Sequence, residues 1–266
     1  MPRKRTDGSV MTGIKRDLDC HGEPIRIIVL ADLHVGDKHC NVDLIKNLIQ
    51  KIKDDENMYV ILAGDLMNTA IANSKSDFYS ETMRPTEQME FCRDLLMPIR
   101  DRILAIVPGN HEERISRSVG TDMSRILACE LGLQDVFSDT TALLFLRFGK
   151  TARKGTPIVY SLYISHGNGG GKRAGSKINS LEDLANVITC DCYVCGHTHL
   201  PATFKRRHFI PSYQTYTAVA HEQLFVNTAS ALNYGGYGRR GGYAPASNSY
   251  PIITLDDREH RMTATV

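Results

Sequence analysis

Five apolar segments of the sequence each end abruptly in Asp, Asn or His. Short apolar runs bounded by Gly or Pro are typical of buried parallel strands, whose carboxyl ends meet at one edge of a sheet. Because a protein core does not accept so many unpaired polar groups, we expect them to converge around a ligand. The five strand ends are Asp32-x-His34, Gly64-Asp65, Gly109-Asn110-His111, His166 and Gly196-His197-x-His199.

The segments between these ends predict an α/β order. Residues 25–30 and 59–63 have the composition of strands, and residues 42–52 between them have apolar side chains at helical spacing. A strand-helix-strand order makes the two strands parallel with a right-handed crossover. From residue 141 onward strand patterns dominate, and the last of them, near residues 202–209, 213–218, 222–227 and 250–265, predict antiparallel pairs that complete a second sheet. Further helices are expected to start at Pro85 and to cover residues near 181–188. Residues 191–195 are expected to form a buried strand in which Cys192 and Cys195 are free.

The length of 266 residues fits one large domain. Residues 1–24 lack periodicity and begin with basic residues, so we expect a flexible basic arm followed by a single domain over residues 25–266. No apolar run approaches the roughly 20 residues of a membrane span, and no signal-peptide core follows the N-terminus. Seven cysteines without framework spacing indicate reduced thiols. These features predict a cytoplasmic protein without a membrane partner.

The donor groups at the strand ends predict a metal site. They comprise two carboxylates, one amide oxygen and four imidazoles, with His111 in addition. A mixed oxygen and nitrogen set favours Mn, Fe, Zn, Co or Ni over Ca or Mg, which prefer oxygen ligands alone. The same residues in ordinary loops would be solvated polar side chains, and only their repeated position at strand ends favours the metal.

As an ordered set, these motifs resemble the calcineurin-like metallophosphoesterase superfamily over residues 25 to about 230. The resemblance implies an α/β fold, a four-layer αββα sandwich with two mixed sheets flanked by helices, and two divalent ions, with Mn first among them. It implies that Asp65 bridges the two ions. One ion would take Asp32, His34, Asp65 and His199, and the other Asp65, Asn110, His166 and His197.

The expected chemistry is hydrolysis of a phosphoester. Two ions roughly 3.5–4 Å apart that share an anionic ligand can acidify a bridging water to hydroxide, which is the expected nucleophile. His111 lies outside the ligand set and, by the resemblance, would neutralise developing charge or protonate the leaving oxygen.

Asn68 is a departure from the resemblance with a consequence for catalysis. Many phosphoprotein phosphatases carry an Asp at this position that orients the catalytic His. An amide does not stabilise an imidazolium as a carboxylate does. Asn68, assigned here to the catalytic set with His111, therefore favours relatives that cleave phosphodiesters.

The substrate is less constrained by the sequence. Net charge is only +2, but Arg114 follows His111 closely, and Lys172 and Arg173 follow His166 within a Gly-rich loop. We expect these three cations to contact substrate phosphate. The alternative is that Glu112, Glu113 and Arg114 begin a solvated helix. Tyrosines between residues 234 and 243 would stack on bases or pack the loop.

The leading interpretation is a metal-dependent phosphodiester hydrolase that acts on nucleic acid, most similar in kind to the Mre11/SbcD-type nucleases and related phosphodiesterases. The enzymatic alternative is hydrolysis of small phosphodiesters, such as cyclic nucleotides, or of phosphomonoesters. A non-catalytic binding scaffold ranks low because every expected ligand is present. A homodimer remains open.

Overall fold

The computed structural model describes residues 11, 13–18, 23–72, 74, 77–148 and 157–266, apart from the side chain of Tyr237. The strands are β1 (Ile14–Leu18), β2 (Ile25–Leu30), β3 (Met58–Ala63), β4 (Ile103–Val107), β5 (Ala142–Phe148), β6 (Ile158–Ser165), β7 (Cys192–Cys195), β8 (Ala202–Ser212), β9 (Thr217–Asn227), β10 (Ile252–Leu255) and β11 (Met262–Thr265). The helices are α1 (Val42–Asp54), α2 (Pro85–Leu96), α3 (Asn110–Val119), α4 (Met123–Leu131), α5 (Ala174–Glu182) and the short α6 (Gly236–Arg240).

The strands form two mixed sheets. One sheet has the order β11-β10-β2-β3-β4, and its strands β2, β3 and β4 are parallel. The other has the order β1-β5-β6-β7-β9-β8, with β6, β7 and β9 parallel. The predicted ligand residues follow the carboxyl ends of the parallel strands, so the two sheets bring the loops that carry them to one region.

Three apolar cores define four layers. The core between the sheets contains Val29 and Ile61 from one sheet and Leu162 and Val194 from the other. Helices α1, α2 and α4 cover the outer face of the five-stranded sheet, and α5 contributes Leu181 to a smaller core on the outer face of the six-stranded sheet. The αββα sandwich predicted from the resemblance is confirmed.

The helix boundaries follow from capping residues. The side chain of Asn41 accepts a hydrogen bond from the backbone N–H of Leu44 at the start of α1, and Asp122 caps α4 in the same way through Arg125. Pro85 occupies the first turn of α2, where its missing N–H has no partner to lose. The predicted start of α2 at Pro85 is confirmed.

The N-terminal segment departs from the sequence expectation. Residues 1–24 were expected to form a flexible arm, but β1 pairs in parallel with β5 at the edge of the six-stranded sheet. Its alternating pattern buries Leu18 and leaves Lys15 exposed, as an edge strand requires. The prediction of a flexible arm is therefore wrong for the residues of β1. Residues 1–10, 12 and 19–22 of the predicted arm lie outside the described residues. The single domain over residues 25–266 stays a prediction.

Three further segments refine the predicted elements. The strands expected near residues 250–265 do not complete the second sheet, because β10 pairs with β2 and β11 pairs with β10 in the five-stranded sheet. The helix expected near residues 181–188 begins earlier, at Ala174. Cys192 and Cys195 lie buried in β7 as free thiols, in agreement with the strand interpretation of that segment. Among the described helices the longest, α1, has 13 residues, and none combines the length and apolar character of a membrane span.

Candidate metal centre

The loops after β2 and β3 run side by side, because the parallel pairing of the two strands continues past their ends. The backbone N–H of Asp32 donates to the carbonyl of Gly64 at 3.0 Å, and that of His34 donates to the carbonyl of Asp65 at 3.1 Å. Ala231 closes the far side by donating its N–H to the carbonyl of Asp32. The loop that contains Asp32 and His34 and the loop that contains Asp65 are thus held together by backbone hydrogen bonds.

Left-handed backbone is concentrated at these loops. Seven described residues other than glycine have positive φ, and five of them are predicted metal ligands. Such conformations cost about 1–3 kcal/mol each and persist where the surrounding structure enforces them. The five are Asp32 (φ 53°), His34 (49°), Asp65 (50°), His197 (65°) and His199 (53°).

Asp32, His34 and His199 form the first donor group. Nε2 of His199 lies 3.0 Å from Oδ1 of Asp32 and 3.2 Å from Nε2 of His34. Oδ2 of Asp32 accepts the backbone N–H of His197 at 2.8 Å, which leaves Oδ1 directed at the imidazoles. Burial lowers the pKa of His34 well below 6.5, so its imidazole is neutral near pH 7 and available as a ligand.

Asp65, Asn110, His166 and His197 form the second donor group. Nε2 of His166 lies 3.2 Å from Oδ2 of Asp65, 3.2 Å from Oδ1 of Asn110 and 3.3 Å from Nδ1 of His197. Nδ1–H of His166 donates to the carbonyl of Ala63 at 2.8 Å, and Nε2–H of His197 donates to the carbonyl of Gly169 at 2.6 Å. Each ring therefore directs its other nitrogen toward the group.

Charge in the second group is strongly coupled. Burial disfavours the charged forms of His166 and Asp65, but each stabilises the charge of the other. The pKa of His166 consequently rises to about 10, and that of Asp65 falls well below 3.8. Without a bound ion the pair forms a buried imidazolium-carboxylate contact.

Two glycines make room for Asp65. A Cβ atom on Gly109 would lie 2.1 Å from Oδ1 of Asp65, and one on Gly64, which has φ +86°, would lie 2.6 Å from the backbone nitrogen of Gly109. The Gly-Asp and Gly-Asn-His motifs therefore reflect the close approach of the loops after β3 and β4.

His111 lies beside the second group but is held by other contacts. Its backbone N–H donates to Oδ1 of Asp65 at 2.8 Å, and its ring Nδ1–H donates to the backbone carbonyl of Asn68 at 2.8 Å. Nε2 remains directed inward, 3.7 Å from Oδ2 of Asp65. Burial lowers the pKa of His111 below 6.5.

Asn68 contacts His111 through its backbone, which differs from the side-chain orientation that the resemblance implies. The Asn68 amide Nδ2 instead donates to Oε1 of Glu81. The catalytic role expected for the Asn68 side chain is therefore not supported by a contact to His111, because a backbone carbonyl occupies that position.

Glu112 is a residue that the sequence analysis misjudged. The alternative interpretation placed it at the start of a solvated helix, but it is only 2 % exposed. Its carboxylate accepts the backbone N–H groups of Asp65 at 3.0 Å, Met67 at 2.9 Å and Gly109 at 2.9 Å. Burial, and then the charge of Asp65, raise its pKa to about 7. Glu112 joins the loops after β3 and β4.

A cavity of about 590 Å³ adjoins both donor groups. Arg114 lines it, and its buried Nη1 has no hydrogen-bond partner among the described residues. Lys177 also lines the cavity and donates to the carbonyl of Thr198 at 2.6 Å. The far wall includes Ile71, Leu232, Tyr234, Tyr243, Ala244 and Ala246.

Lys172 and Arg173 are not among the described residues that line this cavity, and their expected contact with substrate phosphate stays a prediction. Lys172 places its Nζ 5.5 Å from the centre of the Tyr243 ring. Arg173 is exposed as the N-cap of α5, so its position is set by the start of that helix. The helix carries Lys177 to the cavity instead, one turn further along.

The donor groups fit divalent metal ions. Oδ1 of Asp32 is buried and accepts no hydrogen bond from the described residues, although imidazole nitrogens surround it. Three sets of potential ligand atoms converge, and Asp65 belongs to two of them. They are Asp32, His34 and His199; His34, Asp65 and His111; and Asp65, His166 and His197. An acidic and imidazole-rich site of this kind defines a metal-binding protein of the α/β class.

The calcineurin-like phosphoesterase family model matches residues 25–201 of this sequence. That match covers all five strand ends and two thirds of the chain, so the protein belongs to the calcineurin-like phosphoesterase family. Members of that family are metal-dependent phosphoesterases, which agrees with the converging donors of both groups. The comparison with curated proteins found no match.

Similar solved structures extend over most of the chain at low identity. A predicted phosphoesterase from Streptococcus pneumoniae is 13% identical and covers 91% of this chain and 88% of its own, with a TM-score of 0.38. A metallophosphoesterase from Sphaerobacter thermophilus is 14% identical and covers 90% of this chain and 87% of its own, with a TM-score of 0.40. A Vps29 single mutant from Entamoeba histolytica is 12% identical and covers 91% of this chain and 98% of its own, with a TM-score of 0.42. Family membership rests on the sequence match and not on these likenesses.

Proposed function

We propose that the protein is a two-metal phosphodiester hydrolase that acts on nucleic acid. The observation that carries the proposal is that converging sets of donor atoms share Asp65 and His34, beside a cavity that Arg114 lines. One ion would be held by Asp32, His34, Asp65 and His199, and the other by Asp65, Asn110, His166 and His197. Mn is the first candidate for both, followed by Fe, Zn, Co and Ni.

Bound divalent ions supply Lewis acidity toward phosphoryl oxygens and lower the pKa of water. The protein supplies orientation. Nδ1–H of His166 and Nε2–H of His197 are held by backbone carbonyls, which fixes the ring nitrogen that each offers to an ion. Neither ring has to reorganise when an ion binds.

His111 is the proposed acid. Because its Nδ1–H is engaged by the carbonyl of Asn68, His111 acts as an acid in its imidazolium form, which carries the transferable proton on Nε2, 3.7 Å from Oδ2 of Asp65. Protonation of the leaving oxygen by Nε2–H would avoid an alkoxide product. This role matters most for the alkoxide leaving groups of nucleic acids.

Arg114 is the proposed contact to a non-reacting phosphoryl oxygen. Its guanidinium is partly buried, which lowers its pKa, and this donor group belongs to a side chain that lines the cavity. An anionic substrate would satisfy that donor. Tyr234 and Tyr243 on the far wall offer aromatic faces to a nucleobase.

A small phosphodiester is the second candidate, and the size of the cavity favours it. Its volume of about 590 Å³ falls within the range of small-molecule sites. A cyclic nucleotide would place its phosphate at the donor groups and its base toward the tyrosines.

The test assays purified protein with Mn²⁺ or with EDTA. The substrates are single-stranded DNA, a cyclic nucleotide, bis(4-nitrophenyl) phosphate and 4-nitrophenyl phosphate. The proposal expects metal-dependent cleavage of DNA and of the diester, with little cleavage of the monoester. Cleavage of the cyclic nucleotide without DNA cleavage would select the second candidate, and a preference for the monoester would reject both.

A matched pair of variants examines the cavity. Arg114→Gln should raise KM for the diester and leave two bound ions per chain. Arg117→Gln, one turn further along α3, removes an exposed guanidinium that pairs with Glu113 and should leave KM unchanged. Equal KM values for the two variants would contradict the proposed contact between Arg114 and the substrate.

A further inference from the structure

We infer that Glu81 is a positioning residue for His111, and that it acts through Asn68. The inference rests on the proposed function for the role of His111 and on contacts of the described residues for the rest. Glu81 belongs to the long loop between β3 and α2, which the sequence marks only as nonperiodic. Its carboxylate is half-buried, and burial raises its pKa.

The carboxylate of Glu81 collects amide donors from two elements. Oε1 accepts Nδ2–H of Asn68, and Oε2 accepts Nε2–H of Gln88 on α2 at 2.6 Å. Asn68 and Gln88 are each at most 2 % exposed, so the hydrogen bonds that they form have little competition from water.

Gln88 fixes the same short segment from the other side. Its Oε1 accepts the backbone N–H of Thr69 at 2.8 Å. Thr69 has φ 41°, a left-handed conformation that a β-branched residue rarely adopts, and its hydroxyl donates to the backbone carbonyl of His111 at 2.5 Å. The segment from Asn68 to Ala70 is thus held in a strained shape by Glu81 and Gln88 together.

That segment presents the carbonyl on which the His111 ring depends. The Asn68 carbonyl accepts Nδ1–H of His111 at 2.8 Å, and no side-chain carboxylate among the described residues contacts that nitrogen. The carboxylate of Glu81 therefore supports the imidazole of His111 indirectly, by holding the side-chain amide of Asn68. Glu81 replaces in this chain the direct His-Asp pair that Asn68 precludes.

Asn68 is the donor and Glu81 the acceptor of their hydrogen bond, so a double variant can exchange these two roles. In Glu81→Gln, a single oxygen has to serve the two amide donors, because the new Nε2 does not accept a hydrogen bond. Asn68→Asp alone places two carboxylates against each other. The double variant restores one donor and one acceptor with the direction reversed, so each single variant should be impaired and the double variant should recover.

The first readout is independent of activity. In the Zn²⁺-loaded protein with ¹⁵N-labelled histidine, Nδ1–H of His111 should exchange slowly with solvent. Glu81→Gln should accelerate that exchange at least about tenfold, and the double variant should restore it. Glu90→Gln, an exposed glutamate on α2, is the control and should leave the exchange unchanged.

The second readout separates positioning from a merely structural role. Glu81→Gln should lower kcat for a dinucleotide about 10–100-fold with little change in KM, as loss of an outer-shell partner does. With bis(4-nitrophenyl) phosphate, whose leaving group needs no proton, the loss should be under about threefold. Two ions per chain should remain bound.

Three outcomes would overturn the inference. They are unchanged exchange in Glu81→Gln, equal loss of kcat for both substrates with loss of metal, or a double variant no better than the single variants. Failure of the proposed function has a different signature, because wild-type protein would then hydrolyse neither substrate while the exchange of Nδ1–H still responded to Glu81→Gln.

Discussion

Replacing Glu112 with Ala should destabilise the protein more than any surface change on the same helix. The substitution removes the acceptor of three buried backbone N–H groups, those of Asp65, Met67 and Gly109. A buried donor left without a partner costs about 1–3 kcal/mol. Three such donors predict a loss of at least about 3 kcal/mol in the free energy of unfolding.

Urea unfolding in EDTA at pH 5 measures this loss. EDTA removes the contribution of bound ions, and measurement at pH 5, well below the pKa of about 7, keeps the cost of ionising the buried Glu112 carboxyl small in the wild type. Glu112→Gln should fall between wild type and Glu112→Ala, since one amide oxygen can serve two of the three donors while Nε2 faces the third.

Glu113→Ala is the matched control, one position along α3. Glu113 is 37% exposed in its side chain and pairs with Arg117 one turn away, an interaction worth about 0.3–0.5 kcal/mol. A loss under about 1 kcal/mol for Glu112→Ala, or a loss equal to that of Glu113→Ala, would refute the linking role of Glu112.

Three further predictions concern the metal centre. His111→Asn should keep two ions per chain but lower kcat about 10²–10⁴-fold, whereas Asp65→Ala should lose both ions; equal metal loss by mass spectrometry would contradict the assignment of His111. Because the pKa of His166 is about 10 in the metal-free protein, binding should release its proton at neutral pH. The apparent affinity should then rise about tenfold per pH unit below pH 10, and calorimetry in buffers of different ionisation enthalpy would disprove this if no proton were released. Gly109→Ala should abolish metal binding because its Cβ would overlap Asp65, whereas Gly175→Ala, with no atom within 4 Å of the new Cβ, should bind metal normally.

The convergence of the strand ends could be predicted from the sequence because it follows from local patterns, whereas the four-layer fold and the division of the donors between two ions followed from the resemblance to a known family. Apolar runs mark buried strands, and parallel strands send their ends to one edge, so Asp32 and Asp65 had to be neighbours. Which atom a ring presents could not be predicted. His197 offers Nδ1 and His166 offers Nε2 because particular backbone carbonyls bind their other nitrogens.

The polar network behind the site was not predictable for a related reason. Glu112 has the sequence context of a first-turn helical acid, which explains its contact with the N–H of the N-cap Gly109. Only tertiary structure brings the N–H groups of Asp65 and Met67 to it. Glu81 belongs to a loop without periodicity, where no pattern indicates which polar residue folds inward. The strand β1 was missed because Lys15, Arg16 and Asp17 give it the composition of a solvated segment.

The left-handed backbone at five ligand positions sets function against stability in this protein. Substitution of His197 or His199 by glycine would relieve a strained conformation and raise the melting temperature of the metal-free chain, while deleting an ion-binding side chain. A selection for thermal resistance alone would therefore enrich inactive descendants, and directed evolution of this scaffold would need a catalytic screen at every round.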